Sequence, residues 1–291
     1  MFVSPERSQL CSALLMQSKE SNIPKSASLC EYSLIFSLSH CIHTVPYVQV
    51  NKKTFQCDFF IVPCTKYDAG NLPVRKFEVD NDGVMCYKGT LEADLSKDAS
   101  HKGTFKTAHP GTVSFKDTVD PDLFPSGKVC VKQVFDKLPD GSIVRLKGRH
   151  ELERLSVECN CLIWASLLLD FTYQFINREV EGRGGLSRPI PELRFTRSMI
   201  AIVRESTMEK AFLIEEWLDP DDGECPFVKY LGNRFLEPCV PLTAPPRTHE
   251  IAEFLSFAQH IQWQKTGGLA FTSDYQGAGG VLTDPEITSN P

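Results

Sequence analysis

Apolar positions follow two different spacings in the middle of the chain. Between Phe55 and about Phe135, short β-branched and aromatic runs, such as 59–62 and 127–135, alternate with Gly, Pro, Asn and Asp. This alternation predicts an antiparallel β region. From Glu151 to Ile176, apolar residues recur at near-helical spacing, so the sequence predicts a long helix that packs against the β region.

Shorter elements are predicted in the C-terminal third. The runs 199–203 and 211–218 have the composition of two strands joined by a polar turn, which favours a hairpin. Four prolines between Pro238 and Pro246 exclude regular structure there. Thr248 is then expected to cap a last helix, because a threonine oxygen accepts from free amides at a helix start. The run 269–274 is strand-like and leads into a glycine-rich turn.

Composition and charge place the chain among soluble globular proteins. Its 291 residues suffice for one two-lobed domain or two small ones, and the 42% hydrophobic and 23% charged residues are ordinary for such folds. The net charge of −6 argues against nucleic acid and anionic lipid as partners, since both need clustered Lys and Arg. Polar residues and Pro46 interrupt the apolar stretch 29–50, so no membrane helix is expected.

Cysteine usage and the N-terminus predict an intracellular, cytoplasmic protein. The eleven cysteines are odd in number and irregular in spacing, which favours reduced thiols over a disulfide scaffold. The first twenty residues carry charges before any apolar run and lack the pattern of a signal peptide. Residues 1–55 show no clear period and are interpreted as a poorly defined N-terminal segment without assigned chemistry.

The C-terminal segment S-D-Y-Q-G-A-G-G-V-L-T-D-P joins acidic residues to a glycine-rich turn. Mg²⁺ prefers hard oxygen ligands and commonly takes one or two carboxylates plus phosphates and water. Asp284 and Gln276 offer such oxygens, and the glycines at 277, 279 and 280 allow the backbone to fold tightly between them and Asp274. Taken alone, a glycine-rich stretch with two aspartates is commonly only a loop.

The segment V-C-V-K places Lys132 on the opposite face of a strand from Val129 and Val131. A lysine fixed by a strand suits phosphoryl transfer, which requires cations against triphosphate oxygens. Alternatively, Lys132 is an ordinary exposed strand lysine. The dinucleotide fingerprint, the P-loop and the His-Arg-Asp and Asp-Phe-Gly signatures of conventional protein kinases are absent from the sequence, which disfavours those classes.

Two further segments supply context for Lys132. In H-K-G-T-F-K, Gly103 is expected to form a turn, and Lys106 is expected to supply a second cation over the phosphates. Glu158 lies on one face of the long helix and is expected to pair with Lys132, although a solvated charged face explains it equally well. Farther along, F-L-I-E-E-W-L and F-V-K-Y-L-G-N have the composition of a hinge beside an adenine pocket.

These segments occur in the same order as the motifs of the alpha-kinase family. The resemblance to that family extends from about Gly103 to Pro285. D-Y-Q-G-A-G-G-V-L-T-D-P is similar to the family's Asp-x-Gln-Gly turn and the Thr-Asp-Pro that follows it. F-V-K-Y-L-G-N is similar to its Lys-Tyr-x-x-Asn element, and V-C-V-K to its phosphate-binding lysine. The resemblance implies an α+β, two-lobed protein-kinase-like fold with a β-rich N-lobe and a mixed, shortened C-lobe.

The resemblance also implies roles for eight residues, with ATP and Mg²⁺ as cofactors. Lys132 would contact the α- and β-phosphates. Lys106 stands where the family usually has an arginine, which keeps the charge but loses bidentate geometry. The other implied roles are the adenine hinge for Glu215, the phosphates and metal for Lys229 and Asn233, the substrate hydroxyl for Asp274, and Mg²⁺ ligation for Gln276 and Asp284.

The domain limits follow from the same resemblance. Residues 56–291 are expected to form the alpha-kinase-like domain, with an N-lobe over about 56–214 and the hinge and C-lobe over about 215–291. His260 is similar to the family's first zinc ligand, but the remaining ligands would lie beyond the Thr-Asp-Pro element, so a structural zinc site, which needs four ligands, is not expected in this chain.

Two functions follow from the sequence. The first is a protein serine/threonine kinase that transfers the γ-phosphate of ATP to a protein substrate. The alternative is a pseudokinase or nucleotide-binding interaction module without turnover. The sequence indicates neither the substrate nor the activating signal.

Overall fold

The computed structural model describes most of the chain after residue 51. The described residues are 52–61, 84–96, 101–181, 185, 189–204, 210–218, 225–233 and 237–289. Almost all of the predicted N-terminal segment 1–55 lies outside them, and the division between lobes at 214/215 remains a prediction.

The described residues form the following strands and helices. The strands are β1 (Lys52–Ile61), β2 (Met85–Asp94), β3 (His101–Lys102), β4 (Lys106–Phe115), β5 (Gly127–Lys137), β6 (Ile143–Arg145), β7 (Arg194–Phe195), β8 (Ser198–Val203), β9 (Ala211–Glu216), β10 (Val228–Lys229), β11 (Ala270–Ser273), β12 (Gln276–Ala278), β13 (Val281–Thr283) and β14 (Glu286–Ser289). The helices are α1 (Gly148–Glu181) and α2 (Pro246–Lys265).

The N-terminal lobe is an antiparallel sheet that closes on itself. Its strand order is β3-β4-β2-β1-β8-β9-β5-β6, and an additional pairing of β4 with β5 joins six of these strands into a barrel. Each of the six contributes buried side chains to one apolar interior. These include Phe59, Leu91, Val113, Val131, Met199 and Phe212.

The second lobe combines α2 with two small sheets, one of order β10-β12-β13-β7 and one that pairs β11 with β14. Helix α1 packs between this lobe and the outside of the barrel. Its buried residues share one apolar cluster with Leu213 of β9, Leu255 of α2 and Leu282 of β13. By length and composition α1 also qualifies as a membrane span, but 56% of its most apolar stretch is buried inside the fold, as in a core helix.

The alternation along β5 decides where its lysine points. Val129 and Val131 are fully buried inside the barrel, whereas Cys130 and Lys132 lie on the opposite face. Successive side chains of a strand point to opposite faces, so the V-C-V-K pattern predicted this arrangement. The barrel interior therefore fixes the strand, and the lysine is presented outward.

Helix α2 begins earlier than its predicted cap. The N-cap is Pro245, no side chain makes a capping hydrogen bond, and Pro246 occupies the first turn. The expectation that Thr248 caps the helix is wrong, as is the exclusion of regular structure up to Pro246. Proline suits the first helical position because its fixed φ is helical and its missing N–H would have no partner there.

Candidate active site

A cavity of about 830 Å³ lies between the barrel and the C-terminal lobe. The β3–β4 turn, β5, α1, the end of β9 and the segment from 274 to 287 line it. Seven of the eight residues singled out in the sequence are on its wall: Lys106, Lys132, Glu215, Asn233, Asp274, Gln276 and Asp284. The eighth, Lys229, contacts one of them, Asp274.

Lys132 and Glu215 form a buried ion pair at the base of the cavity. The lysine Nζ lies 2.6 Å from Glu215 Oε1, and the two residues are 6% and 1% exposed. Thr196 Oγ1 donates to Glu215 Oε2 at 3.0 Å, and Thr283 donates to the same oxygen. A buried carboxylate needs such partners because desolvation would otherwise disfavour its charge.

The pairing differs from the sequence-based expectation in one respect. Glu158 was expected to hold Lys132, but it contacts Lys106 across the cavity instead. The sheet register explains the change: Cys130 lies opposite Glu215 on the neighbouring strand, so the outward-facing Lys132 is adjacent to Glu215. The structure thus places Glu215 against the lysine, and its expected role at an adenine hinge stays a prediction.

Both lysines form ion pairs with Asp284. Lys106 Nζ contacts Asp284 Oδ1, and Lys132 Nζ is 3.5 Å from the same oxygen. Burial alone would raise the pKa of Asp284, but the ammonium groups of Lys132 and Lys106 outweigh it and hold that pKa well below the usual range. The other oxygen, Oδ2, accepts a hydrogen bond from Gln276 Nε2 at 3.4 Å.

The same contacts keep the two lysines charged. Burial would lower the pKa of Lys132, yet the carboxylates of Glu215 and Asp284 raise it above its usual range. The pKa of Lys106 is also raised, because Asp284 and Glu158 together outweigh burial and the repulsion from Lys132. The cavity therefore contains fixed positive charge whose counter-ions are carboxylates of the protein.

Asp274 and Asp284 flank the β12–β13 hairpin and have a rare backbone conformation. Their φ angles are +60° and +54°, in the left-handed region that non-glycine residues seldom adopt. Such conformations persist where the surrounding structure enforces them, and they are concentrated at active sites. Asp274 pairs with Lys229, whose strand β10 lies beside β12.

Some residues of the site were not identified from the sequence. Asn233 Nδ2 donates to Glu286 Oε2 at 2.8 Å, so Glu286 holds the side chain that was assigned to phosphate and metal. Thr196 and Thr283 were not singled out either, although both complete the Glu215 cluster. The hydroxyl of Thr283 belongs to the Thr-Asp-Pro motif, which could have identified it; Thr196 lies in no motif.

The donor set near Asp284 fits Mg²⁺. One carboxylate and one neighbouring amide side chain are the share of ligands that a protein commonly gives this ion, with phosphates and water supplying the rest. Among the residues that the structure describes, no three His, Cys, Asp or Glu side chains converge as a metal cage. His260 is exposed on α2.

Sequence comparison identifies the family. The Alpha-kinase family model matches residues 101–290. The chain belongs to the alpha-kinase family. The resemblance drawn from the motifs is confirmed, and so is the α+β fold with a β-rich N-lobe. No curated protein sequence matches the chain significantly.

Solved structures of alpha-kinase domains match the chain at low sequence identity. The alpha-kinase domain of myosin heavy chain kinase A in complex with AMP is 12% identical, with a TM-score of 0.48, covering 81% of this chain and 85% of that one. An alpha kinase from Entamoeba histolytica is 14% identical, with a TM-score of 0.48 and coverages of 81% and 78%. Family membership itself supports a protein kinase.

Proposed function

We propose that this alpha-kinase transfers the γ-phosphoryl group of ATP to a serine or threonine hydroxyl of a protein, with Mg²⁺ as the metal. One observation carries the proposal: two lysines from the barrel and the acidic hairpin near the C-terminus meet in one open cavity. Lys132 and Asp284 are 152 positions apart in sequence and 3.5 Å apart in the structure.

Lys132 and Lys106 would bind phosphate oxygens. Phosphoryl transfer depends mainly on positioning and on stabilising charge in a site shielded from water. The two ammonium groups are fixed by Glu215 and Glu158, so their orientation is set before a ligand arrives. Triphosphate oxygens would take over the place that Asp284 Oδ1 holds beside both lysines.

Asp284 and Gln276 would hold Mg²⁺. When bound, this ion would neutralise charge on phosphate oxygens. The carboxylate stays ionised in the neutral range although it is buried, because the lysines outweigh the effect of burial on its pKa. The segment 215–218 lines the adjoining wall and is the proposed edge for adenine.

Asp274 would orient the substrate hydroxyl and accept its proton. Its carboxylate lies on the cavity wall, 20% exposed, and its pairing with Lys229 restricts the direction in which it points. A general base must lie within hydrogen-bonding reach of the proton that it takes. A position at the cavity rim is accessible to a side chain presented by another protein.

The test is transfer of labelled γ-phosphate from ATP to a basic protein in the presence of Mg²⁺. We expect the wild-type chain to label the substrate on serine or threonine, and Lys132→Ala and Asp274→Ala to reduce the rate at least 100-fold. Matched controls are Lys137→Ala on the same strand as Lys132 and Asp117→Ala, both exposed and outside the cavity. Both should retain the wild-type rate.

Measurements on the same purified proteins also test the alternative function, a module that binds nucleotide without turnover. Thermal stabilisation by ATP and Mg²⁺ without transfer, unchanged by Asp274→Ala, would select a pseudokinase or nucleotide-binding module. Equal and negligible transfer in all variants, with no thermal shift, would reject both readings of the cavity.

A further inference from the structure

A four-residue segment, 194–197, joins the two lobes behind the cavity. Strand β7 at its start pairs in parallel with β13, with Arg194 opposite Val281 and Phe195 opposite Leu282. The Thr196 amide then donates to the Leu282 carbonyl at 2.8 Å. Strand β13 runs directly into Asp284, so this segment is bonded to the strand that carries the proposed metal ligand.

The same segment holds the end of β9. Arg194 donates through both terminal nitrogens to Glu216, at 2.9 and 2.8 Å, and the Arg197 amide donates to Glu216 Oε1 at 2.8 Å. On the other side of the strand, Thr196 Oγ1 donates to Glu215 Oε2 at 3.0 Å. Two consecutive glutamates are thereby fixed from one short stretch of chain.

Thr196 does not reach the cavity. It is 4% exposed and absent from the cavity wall, and it stands behind the carboxylate that binds Lys132. Its amide is bonded to β13 while its hydroxyl is bonded to β9. This one residue therefore links the strand leading to Asp284 with the partner of Lys132.

We propose that Thr196 is a positioning residue for phosphoryl transfer, which sets the distance between Lys132 and Asp284 through Glu215. The proposal rests on the proposed kinase function. Without the hydroxyl, Glu215 Oε2 keeps only the hydrogen bond from Thr283, and the carboxylate gains freedom to rotate with its lysine. Displacements of about 1 Å in a reacting geometry can cost about 100-fold in rate.

The kinetic test uses Thr196→Val, which replaces the hydroxyl with a methyl group of similar volume, and Thr196→Ser, which keeps it. Because Thr196 does not touch the cavity, we expect Thr196→Val to lower kcat about tenfold while KM for ATP changes less than about threefold. Thr196→Ser should stay within about twofold of wild type. The kcat of Thr196→Ser shows whether the hydroxyl or the methyl group of Thr196 supports catalysis.

The control is Thr172→Val. Thr172 is fully buried and its hydroxyl is bonded to the Leu168 carbonyl and Gln262, but it lies outside the cavity wall. This variant should unfold at a lower temperature and keep the wild-type kcat. An unchanged kcat in Thr196→Val, an equal loss in Thr196→Ser, or an equal loss in Thr172→Val would each overturn the positioning role.

A second readout does not depend on catalysis. Urea unfolding of Thr196→Val, Glu215→Ala and the double variant should show non-additive shifts in midpoint, because each single change removes the hydrogen bond between these two side chains. Additive shifts would reject the coupling. If wild type neither transfers phosphate nor binds ATP, the proposed function fails, and the urea cycle alone then decides whether Thr196 positions Glu215.

Discussion

Asp284 is the residue at which the charges of the site meet, since both lysines lie against one of its oxygens. Asp284 acts as the counter-ion for cations that the proposed function assigns to phosphate. Charge compensation within the protein offsets the desolvation cost of two buried ammonium groups. A ligand that brings both phosphate oxygens and a divalent cation would preserve the balance of charge.

The depressed pKa of Asp284 predicts how stability changes with pH. The folded chain keeps this carboxyl ionised at pH values where the unfolded chain protonates it, so its contribution is present above the ordinary pKa of about 4 and is lost below it. Asp284→Asn should therefore differ most from wild type in the free energy of unfolding near neutral pH.

The measurement is urea unfolding of both proteins at several pH values between about 7 and about 3. The difference between them should stay nearly constant down to about pH 5 and shrink as the pH falls further. Asp117→Asn, an exposed aspartate outside the cavity, serves as the control and should follow wild type throughout. A difference for Asp284→Asn that stays constant with pH would contradict the assignment.

Lys106 predicts a second effect, on ATP affinity. Lys106→Ala should raise KM for ATP about tenfold, since a charge-assisted hydrogen bond is worth about 1.5–3 kcal/mol. Glu158→Gln should raise it only about twofold, because Glu158 orients Lys106 and would not touch the nucleotide itself. Steady-state kinetics with varied ATP measures both, with Lys106→Arg as the charge-preserving control. An unchanged KM in Lys106→Ala would exclude Lys106 from phosphate binding.

For individual residues, the sequence predicted which side chains lie together at the cavity but not which of them form ion pairs. Motif spacing was sufficient for Lys132, Asp274 and Asp284 because each sits in a short pattern with its own chemical meaning. The partner of Lys132 depends on the register between β5 and β9, a property of the assembled sheet that no local pattern encodes. Before that register was known, Glu158 was the expected partner of Lys132, and Glu215 was assigned to the adenine hinge.

Among the elements, the β12–β13 hairpin has no room for a side chain at Gly277. A Cβ added at Gly277 would lie 2.0 Å from the Val281 carbonyl oxygen and 2.9 Å from the Leu282 Cα. Both atoms belong to the backbone of the paired strand, so they can yield only if the hairpin opens. Gln276 and Asp284 are held by this pairing, which makes the glycine a requirement of the site's shape.

Gly277→Ala should therefore lower the free energy of unfolding by about 1–3 kcal/mol and reduce phosphate transfer more than that loss of folded protein explains. Thermal unfolding and transfer by the folded fraction measure the two effects. Gly232→Ala is the control, since its nearest atom would be the Cys239 Sγ at an ordinary 3.6 Å. Equal behaviour of the two variants would refute the hairpin's role.

Element types were predicted better than element ends. The long helix was expected over 151–176 and spans Gly148–Glu181, and the strand expected over 127–135 spans Gly127–Lys137. Apolar periodicity reports the buried part of an element, whereas the terminal turns are polar and follow local backbone chemistry. The start of α2 shows this, because Pro246 rather than Thr248 determines it.

For the molecule as a whole, α1 connects the two lobes through one apolar cluster. Leu155 is fully buried and belongs to the cluster that includes Val134 and Leu213 of the barrel as well as Leu231 and Leu282 of the C-terminal lobe. Because both lobes share this core, neither is expected to unfold by itself. The lobes should form one cooperative unit.

Leu155→Ala should lower the free energy of unfolding by about 2–5 kcal/mol, the usual cost of a cavity left by a buried leucine. Circular dichroism and tryptophan fluorescence should report the same urea midpoint. Val157→Ala, two residues away and 53% exposed, should change stability by less than about 0.5 kcal/mol. Separate transitions in the two signals would show that the lobes unfold independently.

Closure of the barrel also bears on how this protein behaves at high concentration. Unpaired strand edges invite other chains to add to a sheet, and long flat edges promote aggregation. Joining β4 to β5 leaves only β3 and β6 at the margins of the described eight-stranded sheet, and they are two and three residues long. Such short edge strands offer a neighbouring molecule few free backbone groups to which it could add a strand.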